Sequence, residues 1–177
     1  MRFIFRPPNE TDYSFYSECF QNEEFKYMLF GNERLIQDPL DWFMNNNDSD
    51  LRYVVSLNDK NESSRIGMVL FLLRDNGRYT YLGGIHPQFF NSGLGVYVSI
   101  AAISLFFEIN PYSSYLSTGI FKYNTRSLKA HTAIGFYTTE ETDSEYTLML
   151  TKKQFENDFV MKVRNKIQYK MVKVANL

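Results

Sequence analysis

The spacing of apolar and polar residues predicts a chain of alternating strands and helices. Strands are predicted over residues 2–6, 52–57, 65–74, 78–86 and 114–121, with a closing hairpin over 136–140 and 145–151. Helices are predicted from Thr11 or Asp12 to Phe20, over 22–30, over 94–109, and over 124–134, where Gly135 is the C′ residue. Residues 31–50 are mixed, and the polar cluster 45–50 is predicted to be a loop.

These elements predict a mixed α/β fold of three αβα-like layers. Asp75-Asn76-Gly77 indicates a hairpin turn, because Asn-Gly tolerates positive φ. Only the crossover through the helix at 94–109 requires a parallel strand pair. We therefore expect a mostly antiparallel, seven-stranded sheet with one parallel, splayed junction. Ligands tend to bind at the carboxyl ends of strands beside such a junction.

A loop with two glycines lies at this junction, in the stretch Ile85-His86-Pro87-Gln88-Phe89-Phe90-Asn91-Ser92-Gly93-Leu94-Gly95. A loop that opens a helix directs free backbone N–H groups and the positive end of the helix dipole at one point. That point is suited to a phosphate or pyrophosphate. The alternative is that the glycines serve only tight packing. The pair Gly83-Gly84 in the preceding strand indicates a bulge, a bend or a ligand contact.

Composition narrows the class of protein. A chain of 177 residues with 44% apolar residues suits one domain with a full core, which 13 Tyr and 16 Phe would make rich in rings. A net charge of -1 gives no reason to expect nucleic acid. The single cysteine, Cys19, allows no internal disulfide, so we expect a buried thiol in a cytoplasmic protein. The apolar run at 94–109 is shorter than the roughly 20 residues of a membrane span.

The basic C-terminal segment is predicted to be a helical extension, 152–177, of a domain that covers 1–151. Apolar residues recur there every four positions, as expected for an amphipathic helix: Phe155, Phe159, Val163, Ile167 and Met171. We expect this helix to pack on the domain or on a second subunit, which would form a homodimer. Binding to anionic membranes or polyanions is the less favoured alternative.

Two segments, in this order, follow a known pattern. Ile85-His86-Pro87 matches a strand that ends in hydrophobic-x-Pro, and 90–95 occupies a loop of the form Gln/Arg-x-x-Gly-x-Gly/Ala. The second segment matches Asn-x-x-Ala/Ser, then a position that is often Tyr, then Gly-Phe, with Asn124, Ser127, His131, Gly135 and Phe136. Over roughly residues 2–151 the chain thus resembles the GNAT superfamily of acyl-CoA-dependent N-acyltransferases. It departs from the pattern at Phe90, where Gln or Arg is usual, and at His131, where Tyr is usual.

The resemblance implies the acyl-CoA N-acyltransferase fold and an N-acetyltransferase in which a primary amine attacks acetyl-CoA directly. No metal is expected, and the acceptor would be an amine on a small molecule or peptide. A backbone N–H near Ile85 would stabilise the oxyanion, and His131 would protonate the departing thiolate. The donor would be bound by a set of residues that follows from the two segments: Ile85, His86, Phe90, Asn91, Ser92, Gly93, Leu94, Gly95, Asn124 and Ser127.

Several alternatives stay open at this point. Asn124 suits a helix cap as well as a donor contact, and His86 suits a proton relay as well as a purely structural position. Tyr123 and Tyr137 are substitute acids if His131 points away, and no general base stands out. The rival function is a non-catalytic GNAT-fold sensor or scaffold that binds CoA. A different phosphate-binding α/β module is the third interpretation.

Overall fold

The computed structural model describes residues 1–30, 49–59 and 62–172, so most of the predicted mixed region at 31–50 lies outside the described residues. The strands are β1 (Arg2–Arg6), β2 (Leu51–Asp59), β3 (Glu62–Leu73), β4 (Tyr79–Ile85), β5 (Tyr115–Phe121), β6 (Tyr137–Glu141), β7 (Glu145–Thr151) and β8 (Gln168–Met171). The helices are α1 (Tyr13–Gln21), α2 (Glu23–Phe30), α3 (Leu94–Ile109), α4 (Thr125–Ile134) and α5 (Asp158–Arg164).

The strands form one sheet in the order β6-β7-β5-β4-β3-β2-β1-β8. All neighbours are antiparallel except two pairs, β4–β5 and β1–β8. The β4–β5 pair has a single pair of facing residues, Thr80 and Ser117, and beyond it the two strands diverge. The mixed class and the splayed parallel junction are therefore confirmed. In the described part of the chain the sheet has eight strands rather than seven, and a second parallel pair.

The C-terminal segment differs from its prediction. Helix α5 ends at Arg164, and the chain then forms β8, which runs parallel to β1. The Gln168 N–H donates to Met1 O at 2.8 Å, and the Val172 N–H donates to Phe5 O at 2.8 Å. The physical reason is the open edge of β1. Its backbone N–H and C=O groups need hydrogen-bond partners, which a neighbouring strand supplies and a helix does not. The boundary at residue 151 and dimerisation through this segment stay predictions.

The helices cover both faces of the sheet and give the three layers. On one face α3, together with Val160 and Val163 of α5, packs against Phe3, Phe71 and other inward residues of the sheet. On the other face α1 and α2 pack on Val54, Met68 and neighbouring residues. Helix α3 is buried almost all round from Val98 to Phe107, as its apolar composition predicts. Within the described ranges, no helix combines the length and hydropathy of a membrane span.

A buried ion cluster sets the position of α1. Asp12, which closes the short 3-10 turn before α1, is fully buried and accepts hydrogen bonds from Arg6 at 2.6 and 2.7 Å and from Arg65 at 3.2 Å. The Asn9 N–H donates to it as well, and the Asn9 side chain accepts from the Thr11 N–H. Burial alone would raise the pKa of Asp12, but these hydrogen bonds and the Arg6 charge hold it below its ordinary value. The start of α1 is therefore bound to both β1 and β3.

Candidate active site

A cavity of about 230 Å³ opens where β4 and β5 diverge. Its walls come from α2, the last residues of β4, the loop that follows β4, the first turns of α3, and α4. Most of the predicted site residues lie on it: Ile85, Phe90, Asn91, Gly93, Gly95, Asn124, Ser127 and His131. His86, Ser92 and Leu94 lie outside its wall. The tertiary structure thus brings the two motif segments together across one cleft.

The loop before α3 presents free backbone donors to this cavity. Asn91 and Gly93 have positive φ values of 62° and 79°, and Gly93 is the N-cap residue of α3. Among the described residues, the N–H groups of Asn91, Gly93 and Gly95 make no hydrogen bond. The Leu94 N–H, by contrast, donates to the Ser92 hydroxyl at 3.2 Å. Three unpaired N–H groups at a helix N-terminus fit an anionic ligand such as a phosphate.

The N–H of Ile85 points into the gap between β4 and β5. Just beyond β4, the His86 N–H donates to Ile66 O of β3 at 2.9 Å. Successive residues of a strand direct their N–H groups to opposite edges. The Ile85 N–H therefore lies on the edge that faces away from β3, toward the opening. A donor in this position is what the predicted oxyanion role requires.

The paired glycines of β4 allow close packing on both faces of the strand. A Cβ on Gly83 would lie 2.6 Å from the Tyr81 hydroxyl, and a Cβ on Gly84 would lie 2.8 Å from the Phe25 ring. The register of β3 and β4 runs through the pair without interruption, so the predicted bulge does not occur. The Tyr81 hydroxyl crosses over Gly83 and donates to the Ser99 hydroxyl at 2.9 Å. Burial raises the pKa of Tyr81 to about 12, so it is a protonated part of the cavity wall and not a ready base.

His131 is held in one tautomer. Its Nδ1 lies 2.8 Å from the Ser127 carbonyl oxygen and 3.2 Å from the Ser127 hydroxyl. A carbonyl only accepts, so Nδ1 carries the proton and Nε2 carries the lone pair. Nε2 is buried and has no hydrogen-bond partner among the described residues. Burial lowers the pKa of His131, although the bond to Ser127 opposes that shift.

This geometry changes the role expected of His131. A histidine with a lowered pKa is neutral near pH 7, so it does not hold the extra proton that a resting general acid would donate. Its Nε2 lone pair is instead suited to accept a proton. The centre of the imidazole ring lies 5.9 Å from that of the Tyr81 ring and 5.1 Å from that of the Phe136 ring. Sequence reasoning had the spacing for His131 but no information on its charge.

Asn124 and His86 both make structural contacts. The Asn124 side chain accepts from the Ser127 N–H at 3.1 Å and so caps α4, and its amide donates to Met28 O of α2 at 3.4 Å. The His86 Nδ1 accepts from the Gln88 N–H at 3.3 Å, and its Nε2 lies 3.3 Å from Glu18. Both ring nitrogens of His86 are thus engaged, which disfavours the proton-relay alternative.

The substitute acids and the cysteine are less suited to chemistry. The Tyr123 hydroxyl donates to Tyr27 O at 2.7 Å, and Tyr137 lies outside the cavity wall. Burial raises the pKa of the Cys19 thiol to about 12, which makes it an unreactive core residue. Sequence reasoning missed Arg126, which lies on the cavity wall between two predicted site residues, Asn124 and Ser127. Its position inside that motif was the available signal.

The comparisons with known proteins bear on the family and the fold of the chain. The family model described as the acetyltransferase (GNAT) domain matches residues 2–137. No protein of curated function matches the chain.

Solved structures show the same fold at low sequence identity. The aminoglycoside acetyltransferase AAC(6')-Ib in complex with coenzyme A is 17% identical, with a TM-score of 0.70 over 87% of this chain and 97% of that one. The spermidine N-acetyltransferase from Vibrio cholerae in complex with CoA and spermine is 15% identical, with a TM-score of 0.71 over 88% and 98%. A domain from Methanocaldococcus jannaschii is 16% identical, with a TM-score of 0.70 over 84% and 97%.

Proposed function

The chain belongs to the GNAT acetyltransferase family, and on that premise we propose that it transfers the acetyl group of acetyl-CoA to a primary amine. The observation that carries the proposal is the cavity at the β4–β5 opening. Its wall includes the loop residues with unpaired N–H groups, Ile85, and His131, whose Nε2 has no hydrogen-bond partner among the described residues. The loop N–H groups suit the pyrophosphate of the donor, and the Ile85 N–H suits the oxyanion of the reaction. Nε2 of His131 suits proton transfer.

The donor would lie along the gap between the strands. Its pyrophosphate would accept hydrogen bonds from the N–H groups of Asn91, Gly93 and Gly95, where the α3 dipole also favours negative charge. The gap itself would receive the extended pantetheine arm, because β4 and β5 have unpaired backbone edges beyond Thr80 and Ser117. No metal is needed for this chemistry.

The reaction exchanges a C–S bond for a C–N bond. The amine nitrogen attacks the thioester carbon while the carbonyl oxygen, which gains charge, accepts a hydrogen bond from the Ile85 N–H. The attacking nitrogen must be a neutral amine, so an ammonium acceptor first gives one proton to water. After the attack the nitrogen must lose one further proton and the sulfur must gain one. Neutral His131 is suited to take that proton at Nε2 and return it to the thiolate, which leaves the enzyme unchanged.

The acceptor is proposed to be an amine on a small molecule or peptide. Two of the similar structures are of acetyltransferases whose names refer to amine-bearing compounds, aminoglycosides and spermidine. In this chain α1 and α2 carry the carboxylates Glu18, Glu23 and Glu24, each beside a basic partner of the protein itself. Because each of these carboxylates already has a basic partner, the support for an amine acceptor comes from the similar structures.

Two measurements test the proposal. Saturating acetyl-CoA should raise the melting temperature, because a ligand that binds only the native state stabilises it. Release of free thiol should then follow addition of an amine from a panel of spermidine, an aminoglycoside and a peptide α-amine. Binding without thiol release across the panel would favour the CoA-sensor alternative. Absence of any thermal shift would contradict both functions and favour a different phosphate-binding module.

A further inference from the structure

We propose that Arg126 provides the cationic contact to the donor's pyrophosphate that the loop before α3 lacks. This inference rests on the proposed function and concerns how this chain satisfies it. The loop residues 87–95 include neither Lys nor Arg, and Phe90 occupies the position where Gln or Arg is usual in the resembling family. Backbone N–H groups alone would have to balance the charge of a pyrophosphate.

Arg126 reaches this loop from α4, across the cleft. Its Nη1 donates to the Asn91 side-chain oxygen at 2.8 Å, and its guanidinium carbon lies 5.0 Å from the centre of the Phe90 ring. Among the described residues that line the cavity, Arg126 is the only Lys, Arg, Asp or Glu. The one formal charge on the wall is therefore positive, and it touches two loop residues.

The surroundings of Arg126 leave it able to bind an anion. A guanidinium has five N–H donors, and the contacts to Asn91 and Glu24 use one nitrogen each. The Glu24 contact is at 3.3 Å between side chains that are 46% and 52% exposed, so it is a weak, water-screened ion pair. A doubly charged pyrophosphate would compete well for the remaining donors, because Arg pairs with phosphate oxygens in a bidentate manner.

Phe90 then has a positive role. An aromatic ring attracts a guanidinium to its face, so Phe90 helps to hold Arg126 beside the loop. In this proposal Arg126 takes over the contact that Gln or Arg would make at position 90. The side-chain contact to the phosphate would therefore come from Arg126 on α4, in the second motif segment, and not from the loop. Phe90, Asn91 and Arg126 are one cluster formed across the cleft.

Titration calorimetry with CoA, dephospho-CoA and pantetheine separates the phosphates from the rest of the donor. For Arg126→Gln we expect about a tenfold or greater loss of affinity for CoA and dephospho-CoA, and no loss for pantetheine. Arg126→Lys should lose less, because it keeps the charge but not the planar fork. Lys129→Gln is the matched control: it removes the same charge from an exposed position of α4 outside the cavity and should bind like the wild type.

The outcomes distinguish this inference from the proposed function. If the wild type binds no CoA, the proposed function fails and the inference fails with it. If the wild type binds CoA and Arg126→Gln binds it equally well, only the inference is wrong. If the loss disappears with dephospho-CoA, Arg126 contacts the 3′-phosphate and the pyrophosphate assignment is wrong. A loss that extends equally to pantetheine would indicate a packing defect and would also overturn the inference.

Discussion

Replacing Asp12 by Asn tests whether the buried ion cluster holds α1 on the sheet. The side chain of Asp12 is fully buried and accepts hydrogen bonds from Arg6, Arg65 and the Asn9 backbone. Asn keeps an acceptor for the Asn9 N–H but removes the charge that both arginines face. The consequence extends to the loop after β4, because the Arg65 guanidinium lies 5.7 Å from the Phe15 ring of α1 and that ring stacks on His86.

The size of the effect follows from burial. Breaking a fully buried ion pair costs about 3–5 kcal/mol. The Arg6 and Arg65 side chains are 26% and 36% exposed, so water compensates part of the loss and we expect about 2–3 kcal/mol. For a chain of this length such a loss lowers the melting temperature by about 5–10 °C. Urea denaturation at pH 7 measures it directly.

The pH dependence gives a sharper test. The folded pKa of Asp12 lies below that of an unfolded Asp, about 3.9, so the ionised form stabilises the native state above that pH. The difference between wild type and Asp12→Asn should therefore be complete at pH 5 and above. It should shrink as the pH falls below about 4 and Asp12 takes up a proton.

Glu10→Gln is the control, because Glu10 is an exposed acid in the same 3-10 turn and should change stability by less than about 0.5 kcal/mol. Equal stability of the two variants at pH 7 would refute the argument. A difference that persists undiminished at pH 2 would show that the stabilisation is not ionic.

Three further perturbations address the site and the C-terminal strand. His131→Gln should lower kcat about 100-fold. The acid limb of the wild-type pH–rate profile should lie below pH 6.5, because the lowered pKa of His131 keeps its neutral form present there. An unchanged profile in the variant would contradict the proton relay. Gly83→Ala places a Cβ 2.6 Å from the Tyr81 hydroxyl, so this hydroxyl must move away from its partner Ser99. Denaturation should show a free energy of unfolding lower by about 1–3 kcal/mol, and unaltered stability would refute the close packing. Lys170→Pro should remove a hydrogen bond between β1 and β8 and lower stability by about 1–3 kcal/mol relative to Lys170→Ala. Equal melting temperatures of the two variants would argue against β8.

Predictions from the sequence are confirmed where the conformation depends on only a few neighbouring residues. The Asn-Gly turn has Gly77 at φ 73°, and Gly135 ends α4 at φ 112°, as their sequence positions predict. The helix predicted at 94–109 occurs with those bounds. Spacing alone also placed His131 one turn after Ser127, which the 2.8 Å bond to the Ser127 carbonyl reflects.

The C-terminal prediction failed for a reason of periodicity. Apolar residues four positions apart lie on one face of a helix, but they also lie on one face of a strand, whose side chains alternate with a period of two. Val163 belongs to α5 whereas Met171 belongs to β8, so one pattern spanned two elements. The free edge of β1 decided between them, and that edge exists only once the sheet has formed.

The sequence by itself determined the order of the elements from β1 to β7, the glycine loop at the head of α3 and the two motif segments that indicate a GNAT acetyltransferase. The tertiary structure decided what those segments do together. Phe90 and Arg126 are distant in the chain but touch across the cleft, and the charge of His131 depends on burial by side chains from other elements. Both depend on distances and solvent exclusion between remote parts of the chain, and a local pattern has no means to encode them.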